Sequence, residues 1–226
     1  LAGYYAKLMG LPVNKLICAS NDNKVLFDFF QTGTYDKNRE FILTVSPSMD
    51  ILVSSNLERL IYRITGENEE KNRQFMEALK TEGKYVITAE MKEKLNDFES
   101  GFATEAEDLA IINKYYQNEA YVMDTHTGVA ASVYEKYKER TGDATPTVIV
   151  STASPFKFPR AVVQATDPEH VDRLSDYDMI YRVDLLRDKK GLPQAIKDIL
   201  ALPIRHKTVC EESGMEAEVK KFLNIK

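Results

Sequence analysis

Four short stretches of this chain carry more polar groups than connectors need. Asn21-Asp22-Asn23 follows an apolar, β-like run at Lys15–Ala19. In open α/β sheets ligands lie beyond the C-terminal ends of strands, so amides and a carboxylate there could bind one. A turn that caps the next helix would use the same residues. Ser46-Pro-Ser48-Met-Asp50, with Ser54-Ser55-Asn56, gathers hydroxyls, an amide and a carboxylate. The simpler reading makes Ser55 or Asn56 a helix cap. Asp124-Thr125-His126-Thr127 holds the one histidine in a polar, loop-like setting, beside a carboxylate that can act on its titration. Ser151-Thr152-Ala-Ser154-Pro-Phe156-Lys157-Phe158 places hydroxyls at a strand end, where they can hydrogen-bond a ring nitrogen without supplying a full charge. Lys157 would make a Schiff base only if burial lowered its pKa; a solvated or carboxylate-paired lysine is the ordinary case and the preferred one. No Ser/His/Asp set, H-E-x-x-H, Walker loop or carboxylate pair accompanies these stretches. The residues alone define a ligand-binding α/β protein and name no reaction.

The elements that would position them follow from periodicity. Residues 1–10 read as a helix with Ala2, Tyr5, Ala6 and Met9 on one face, ended by Gly10 and Pro12. No capping residue precedes Leu1, so its first N–H groups are expected to face an anion-binding loop upstream. A helix over Lys24–Gln31 buries Val25, Leu26, Phe29 and Phe30, and Phe41–Val45 is a second expected strand. Helices then dominate: Leu57–Ile64, Glu67–Lys80, Ala89–Phe98 and Glu105–Gln117. Thr88 caps the third, and Thr104 with Glu107 forms a capping box on the fourth. Only the surroundings of Tyr85–Ile87 and Phe98–Phe102 look extended. Ala120–Met123 is a short apolar run, Thr127–Arg140 a helix, Thr147–Val150 a strand of mostly β-branched residues, and Phe158–Ala165 a helix with Pro159 in its first turn. Pro193 opens a last helix through Leu200. This is α/β grammar, expected as 1–45 (α/β), 46–118 (a mainly helical insertion) and 119–226 (return to α/β, with a C-terminal tail).

Composition bounds the partners. With 226 residues, 43% hydrophobic and 29% charged, the chain can bury a sizeable core. A net charge of -5 and a pI near 5.4 argue against a nucleic-acid surface. No apolar run is long enough to span a membrane. Cys18, in an apolar run, and Cys210, in an acidic one, read as a buried and a surface thiol rather than a disulfide, which suits the cytoplasm. Neither has metal-ligand spacing, and no metal site is expected.

Leu1-Ala-Gly-Tyr-Tyr-Ala-Lys-Leu-Met-Gly-Leu-Pro12 resembles the segment that follows the Gly-Asn-Phe-Gly-Asn phosphate loop of threonine synthases. Ala19-Ser-Asn-Asp-Asn-Lys-Val-Leu26, Ser46-Pro-Ser-Met-Asp-Ile51, Ser54-Ser-Asn-Leu-Glu-Arg-Leu60, Asp124-Thr-His-Thr127 and Ser151-Thr-Ala-Ser-Pro-Phe-Lys-Phe158 continue the likeness in family order to about residue 165. The resemblance implies the C-terminal portion of a pyridoxal-phosphate fold-type-II (tryptophan-synthase-β-like) protein with a helical insertion. It implies a parent that converts O-phospho-L-homoserine and water into L-threonine and phosphate. The Schiff-base lysine would lie upstream, so this chain alone is expected to be inactive, to need the N-terminal part of the same polypeptide, and to self-associate through its exposed apolar edges.

By the same resemblance Thr152, with Ser151 as fallback, faces the pyridine nitrogen. Asn21, Asn23, Asp124 and His126 lie at the site mouth. Ser48, Asp50, Ser54, Ser55 and Asn56 line the cleft toward the helical subdomain, where substrate carboxylate or phosphate could bind. Lys157 matches a non-catalytic family lysine. Three residues depart from the family pattern: Thr125 stands for proline, Ser154 for histidine and Phe156 for alanine. The alternatives are another fold-type-II enzyme, such as a threonine dehydratase or cysteine synthase relative, or a non-catalytic binding module. Ser46–Asp50, Asn56–Arg59 and the helical insertion favour threonine synthase.

Overall fold

A computed structural model describes residues 1–225 and divides into two compact units, Leu1–Lys190 and a second that starts at Gly191. In the first, β1 (Leu16–Ser20) pairs in parallel with β4 (Phe98–Phe102), in a register that runs from Leu16 opposite Phe98 to Ser20 opposite Phe102. Between them the chain builds α2 (Val25–Thr32), β2 (Thr34–Asp36), α3 (Leu57–Ile64), α4 (Glu69–Thr81), β3 (Lys84–Val86) and α5 (Ala89–Glu93). β2 and β3 pair antiparallel, Tyr35 opposite Tyr85, their rings stacked at 5.4 Å. Leu57, Leu60, Ile61 and Ile64 repeat at helical spacing and bury one face of α3. They join Val25, Phe29, Tyr35 and Met91 in the main core.

After β4 come α6 (Glu105–Glu119) and α7 (Thr125–Thr141), then α8 (Pro159–Thr166) and α9 (Asp176–Leu186). α7 packs on β1 and β4: Val129 and Val133 join Ala103, Ile17 and Ala19 in a second apolar cluster. The approach is close at Gly101, where a Cβ would stand 2.7 Å from Val133 Cγ1. β4, sequence-distant from β1, therefore completes the same sheet rather than belonging to the helices before it. An α1 (Ala2–Leu8) precedes β1 without a side-chain cap and without a buried residue. The unit from Gly191 carries α10 (Gln194–Ala201), started after Pro193, and α11 (Met215–Leu223); none of its described residues is buried.

Several expectations need correction. Phe41–Val45 is irregular, because its N–H groups bond to side chains: Ile42 to Asn23 Oδ1, Thr44 to Asp50 Oδ2 and Val45 to Glu105 Oε2. Thr147–Val150 is irregular too. It has no strand neighbour among the described residues, and Val148 and Val150 are 86% and 71% exposed. β-branched residues favour a strand through packing on paired strands, and no described strand lies beside this segment. α5 stops at Glu93, short of the expected Phe98. The helix at the start ends at Leu8, and Met9, expected on its apolar face, is 88% exposed. Thr88 and the Thr104/Glu107 capping box are as expected. No described helix is long and apolar enough to cross a membrane.

Candidate functional site

The end of β1 is tied to a loop by a buried network. Asn21 Nδ2 donates to Asp50 Oδ1 at 2.7 Å, with Thr44 Oγ1 and Ser46 Oγ at 2.9 and 3.0 Å. Asn23 Nδ2 donates to Ile42 O (2.7 Å) and to Asp50 Oδ1 (3.0 Å). Asp50 also accepts from the Thr44 hydroxyl and N–H. These residues do not cap α2, whose N-cap is Lys24 with no side-chain bond. Asp22 instead accepts from the Glu105 N–H and so serves α6. Asn21, Asn23 and Asp50 thus spend their polar atoms on holding residues 42–50 against the strand end. Ser46, from the polar stretch already singled out, completes that frame together with Thr44 and Glu105.

A second network joins the first at Ser48. Its N–H donates to His126 Nε2 at 3.1 Å, which puts the ring proton on Nδ1, facing Asp124 Oδ1 at 3.1 Å. Asp124 is the N-cap of α7; its Oδ1 accepts from the N–H groups of His126 (2.9 Å) and Thr127 (3.4 Å). Its Oδ2 accepts the Thr127 hydroxyl, and Thr127 Oγ1 lies 2.9 Å from Ser151 Oγ. Burial pushes the Asp124 carboxyl up, but these hydrogen bonds outweigh it and hold it below the usual carboxylate range. His126, expected in a loop, is buried in the first turn of α7 with its ring against Phe158. Both of its nitrogens are engaged, so it locks the Ser48 turn to α7.

The structure therefore brings Asn21, Asn23, Ser48, Asp50, Asp124, His126 and Ser151 into one connected frame, with Ser151 at its exposed end. Thr152 is exposed beside it. Ser54, Ser55 and Asn56 are not part of the frame. The Ser54 N–H donates to the Tyr35 hydroxyl, Ser55 is exposed, and Asn56, without a capping bond, accepts from Arg59. Ser154 caps the turn at Pro155–Lys157, and Lys157 is exposed with its ammonium 5.2 Å from the Phe158 ring centre, which is no setting for a Schiff base.

Asp108, which drew no attention in the sequence, is buried under α7. Neither of its oxygens has a hydrogen-bond partner among the described residues, and a Cβ at Gly128 would stand 2.1 Å from Oδ1. Burial, then Asp124 and Glu105, push its carboxyl up to about 8. The sequence did hold a signal: Asp108 shares its helix face with the buried Ile111 and Ile112.

A parallel strand pair covered by helices makes this an α/β protein, and its solved neighbours place it in pyridoxal-phosphate fold type II. Two solved structures support this: a threonine synthase from yeast (TM-score 0.77, 30% identity, 99% of this chain and 45% of that one) and one from Brucella melitensis with PLP bound (TM-score 0.68, 33% identity, 80% and 38%). The family model "Threonine synthase, C-terminal" matches residues 127–223. The human protein threonine synthase-like 1 is 40% identical over 177 residues, which is 77% of this chain and 23% of that protein. Threonine synthase of Saccharomyces cerevisiae is 34% identical over 218 residues, 89% of this chain and 40% of that protein. The chain is similar to the C-terminal part of threonine synthases and spans less than half the length of these relatives.

Proposed function

We propose that this chain is the C-terminal part of a threonine synthase, a PLP-dependent enzyme that converts O-phospho-L-homoserine and water into L-threonine and phosphate. The observation that carries the reading is the frame ending in Ser151, set in a chain whose relatives and structural neighbours are threonine synthases. The residues present fit the cofactor: the neutral hydroxyls of Ser151 and Thr152 stand exposed at the end of an otherwise buried hydrogen-bonded frame, and that of Thr152 is free to donate to a pyridine nitrogen. When bound, the cofactor supplies an electron sink for carbanions at the substrate.

The chain's own residues would do the rest. Thr152 or Ser151 faces the ring nitrogen. Asn21, Asn23 and Asp50 fix the loop beyond β1, and His126 fixes the Ser48 turn. Ser48, Ser54, Ser55 and Asn56 are left as candidates to bind substrate carboxylate or phosphate. The Schiff-base lysine is assigned to the upstream part of the polypeptide, so the chain alone is inactive.

Phosphate release from O-phosphohomoserine with PLP tests this, with the chain alone compared to the chain joined to its natural upstream sequence. Activity in the joined protein only supports the reading. Turnover by the lone chain refutes the placement of the lysine. Cofactor binding without phosphate release would select the alternative, another enzyme of the same fold type.

A further inference from the structure

The frame around Asp124 fixes the direction of a hydrogen-bond chain. Asp124 is fully buried, and its Oδ1 is taken by the N–H groups of His126 and Thr127 and by His126 Nδ1. An ionised carboxylate only accepts, so the contact of Oδ2 with Thr127 Oγ1 consumes the single Thr127 hydroxyl proton. Thr127 Oγ1 can then only accept from Ser151 Oγ, 2.9 Å away. Ser151 has one proton as well, and it points inward. What the exposed serine presents to a ligand is lone pairs.

We propose that Ser151 is a binding residue that accepts, and does not donate, a hydrogen bond from a protonated nitrogen of the ligand, with Asp124 and Thr127 as the positioning residues that set this direction. The proposal rests on the PLP reading above and deepens it. A protonated nitrogen can come from the cofactor ring in its N–H form or from the ammonium of the amino-acid substrate. Thr152, whose hydroxyl is not committed to this chain of bonds, is the residue left to meet an unprotonated acceptor.

The relay can be reversed with little change of shape. In Asp124→Asn the Oδ1 position must stay an oxygen, because backbone N–H groups point at it. The amide nitrogen then replaces Oδ2 and donates to Thr127. Thr127 in turn donates to Ser151, and the Ser151 proton turns outward. Thr127→Ser keeps the relay, Thr127→Val cuts it, and Ser151→Ala, at an exposed position, removes its end without threatening the fold.

The experiment uses the chain joined to its upstream sequence and loaded with PLP carrying 15N in the ring. The 15N shift reports ring protonation, and the dissociation constant of O-phosphohomoserine is measured alongside. If the ring is the source, the wild-type and Thr127→Ser signals are those of N–H, while Asp124→Asn and Ser151→Ala move to the unprotonated position. If the ammonium is the source, the ring signal holds in all variants, and substrate binding weakens about tenfold or more in Asp124→Asn and Ser151→Ala, the size of a lost hydrogen bond to a charged group. Thr127→Ser would retain wild-type affinity. PLP bound normally, with neither readout moved by Asp124→Asn or Ser151→Ala, overturns the relay and leaves the PLP reading standing. Failure of the wild-type protein to take up PLP overturns both.

Discussion

Replacing Asp108 by asparagine is expected to flatten the pH dependence of stability between pH 6 and pH 8. Asp108 is 1% exposed and has no partner for either oxygen among the described residues, wedged where α6 meets Gly128 of α7. Burial, followed by the charges of Asp124 and Glu105, raises its carboxyl from 3.8 to about 8. The folded protein therefore keeps a proton that the unfolded chain releases. Its stability is fully present below the unfolded value near 4 and is lost as pH rises toward and through about 8. Over pH 6 to 8 the loss from this one group comes to about 2 kcal/mol. Asparagine does not titrate, so Asp108→Asn should lose that much less over the same interval. Its own buried amide costs stability equally at each pH, so the slope and not the level carries the answer. Urea unfolding followed by far-UV ellipticity at pH 6, 7 and 8 gives the slope. Equal slopes in wild type and Asp108→Asn would refute the assignment of a buried, protonated Asp108.

Gly128→Ala should destabilise by about 1–3 kcal/mol through overpacking, since its Cβ would meet Asp108 Oδ1 at 2.1 Å and Ile112 Cγ1 at 2.9 Å. Thermal unfolding should show a smaller penalty in an Asp108→Ala background, and an unchanged penalty would place the clash elsewhere. Thr104→Ala removes one half of the capping box on α6 and should cost about 1 kcal/mol in urea unfolding; no loss would mean the box is not formed. Burial pushes the Cys18 thiol up to about 11, whereas Cys210 is exposed. A disulfide reagent at pH 8 should therefore modify one thiol quickly and the second only after denaturation. Two equally fast thiols would contradict the burial of Cys18.

What could be read from the sequence was what is local. The Thr104/Glu107 box and the helix Leu57–Ile64 are decided within a few residues, and they stand where expected. Thr147–Val150 and Phe41–Val45 have strand-like composition, but a strand is a property of a pair, and nothing within either segment says whether a neighbour is present. The candidate site was legible as a set of residues and not as a set of roles. Asn21 and Asp50 looked like ligand groups because their partners, the backbone and hydroxyls of residues 42–46, cannot be known before the loop folds back. Asp108 hid among Glu105 and Glu107, as an acid suited to the first turn of a helix.

The pairing of β1 with β4 also sets an order of events. Leu16 waits for Phe98 while all the chain from α2 to α5 lies between them, and closing so long a loop is costly before any contact rewards it. The buried residues of the cluster around Phe29, Tyr35, Leu60, Ile64 and Met91 all come from that intervening chain and can gather first. Once gathered, it shortens the effective distance between the two strands. Substitutions in that cluster should then slow folding, whereas those at the β1–β4 seam, such as at Gly101, should chiefly speed unfolding. In a growing polypeptide, β1 leaves the ribosome long before β4 exists to cover its edge, and during that interval the strand edge is open to pairing with other chains.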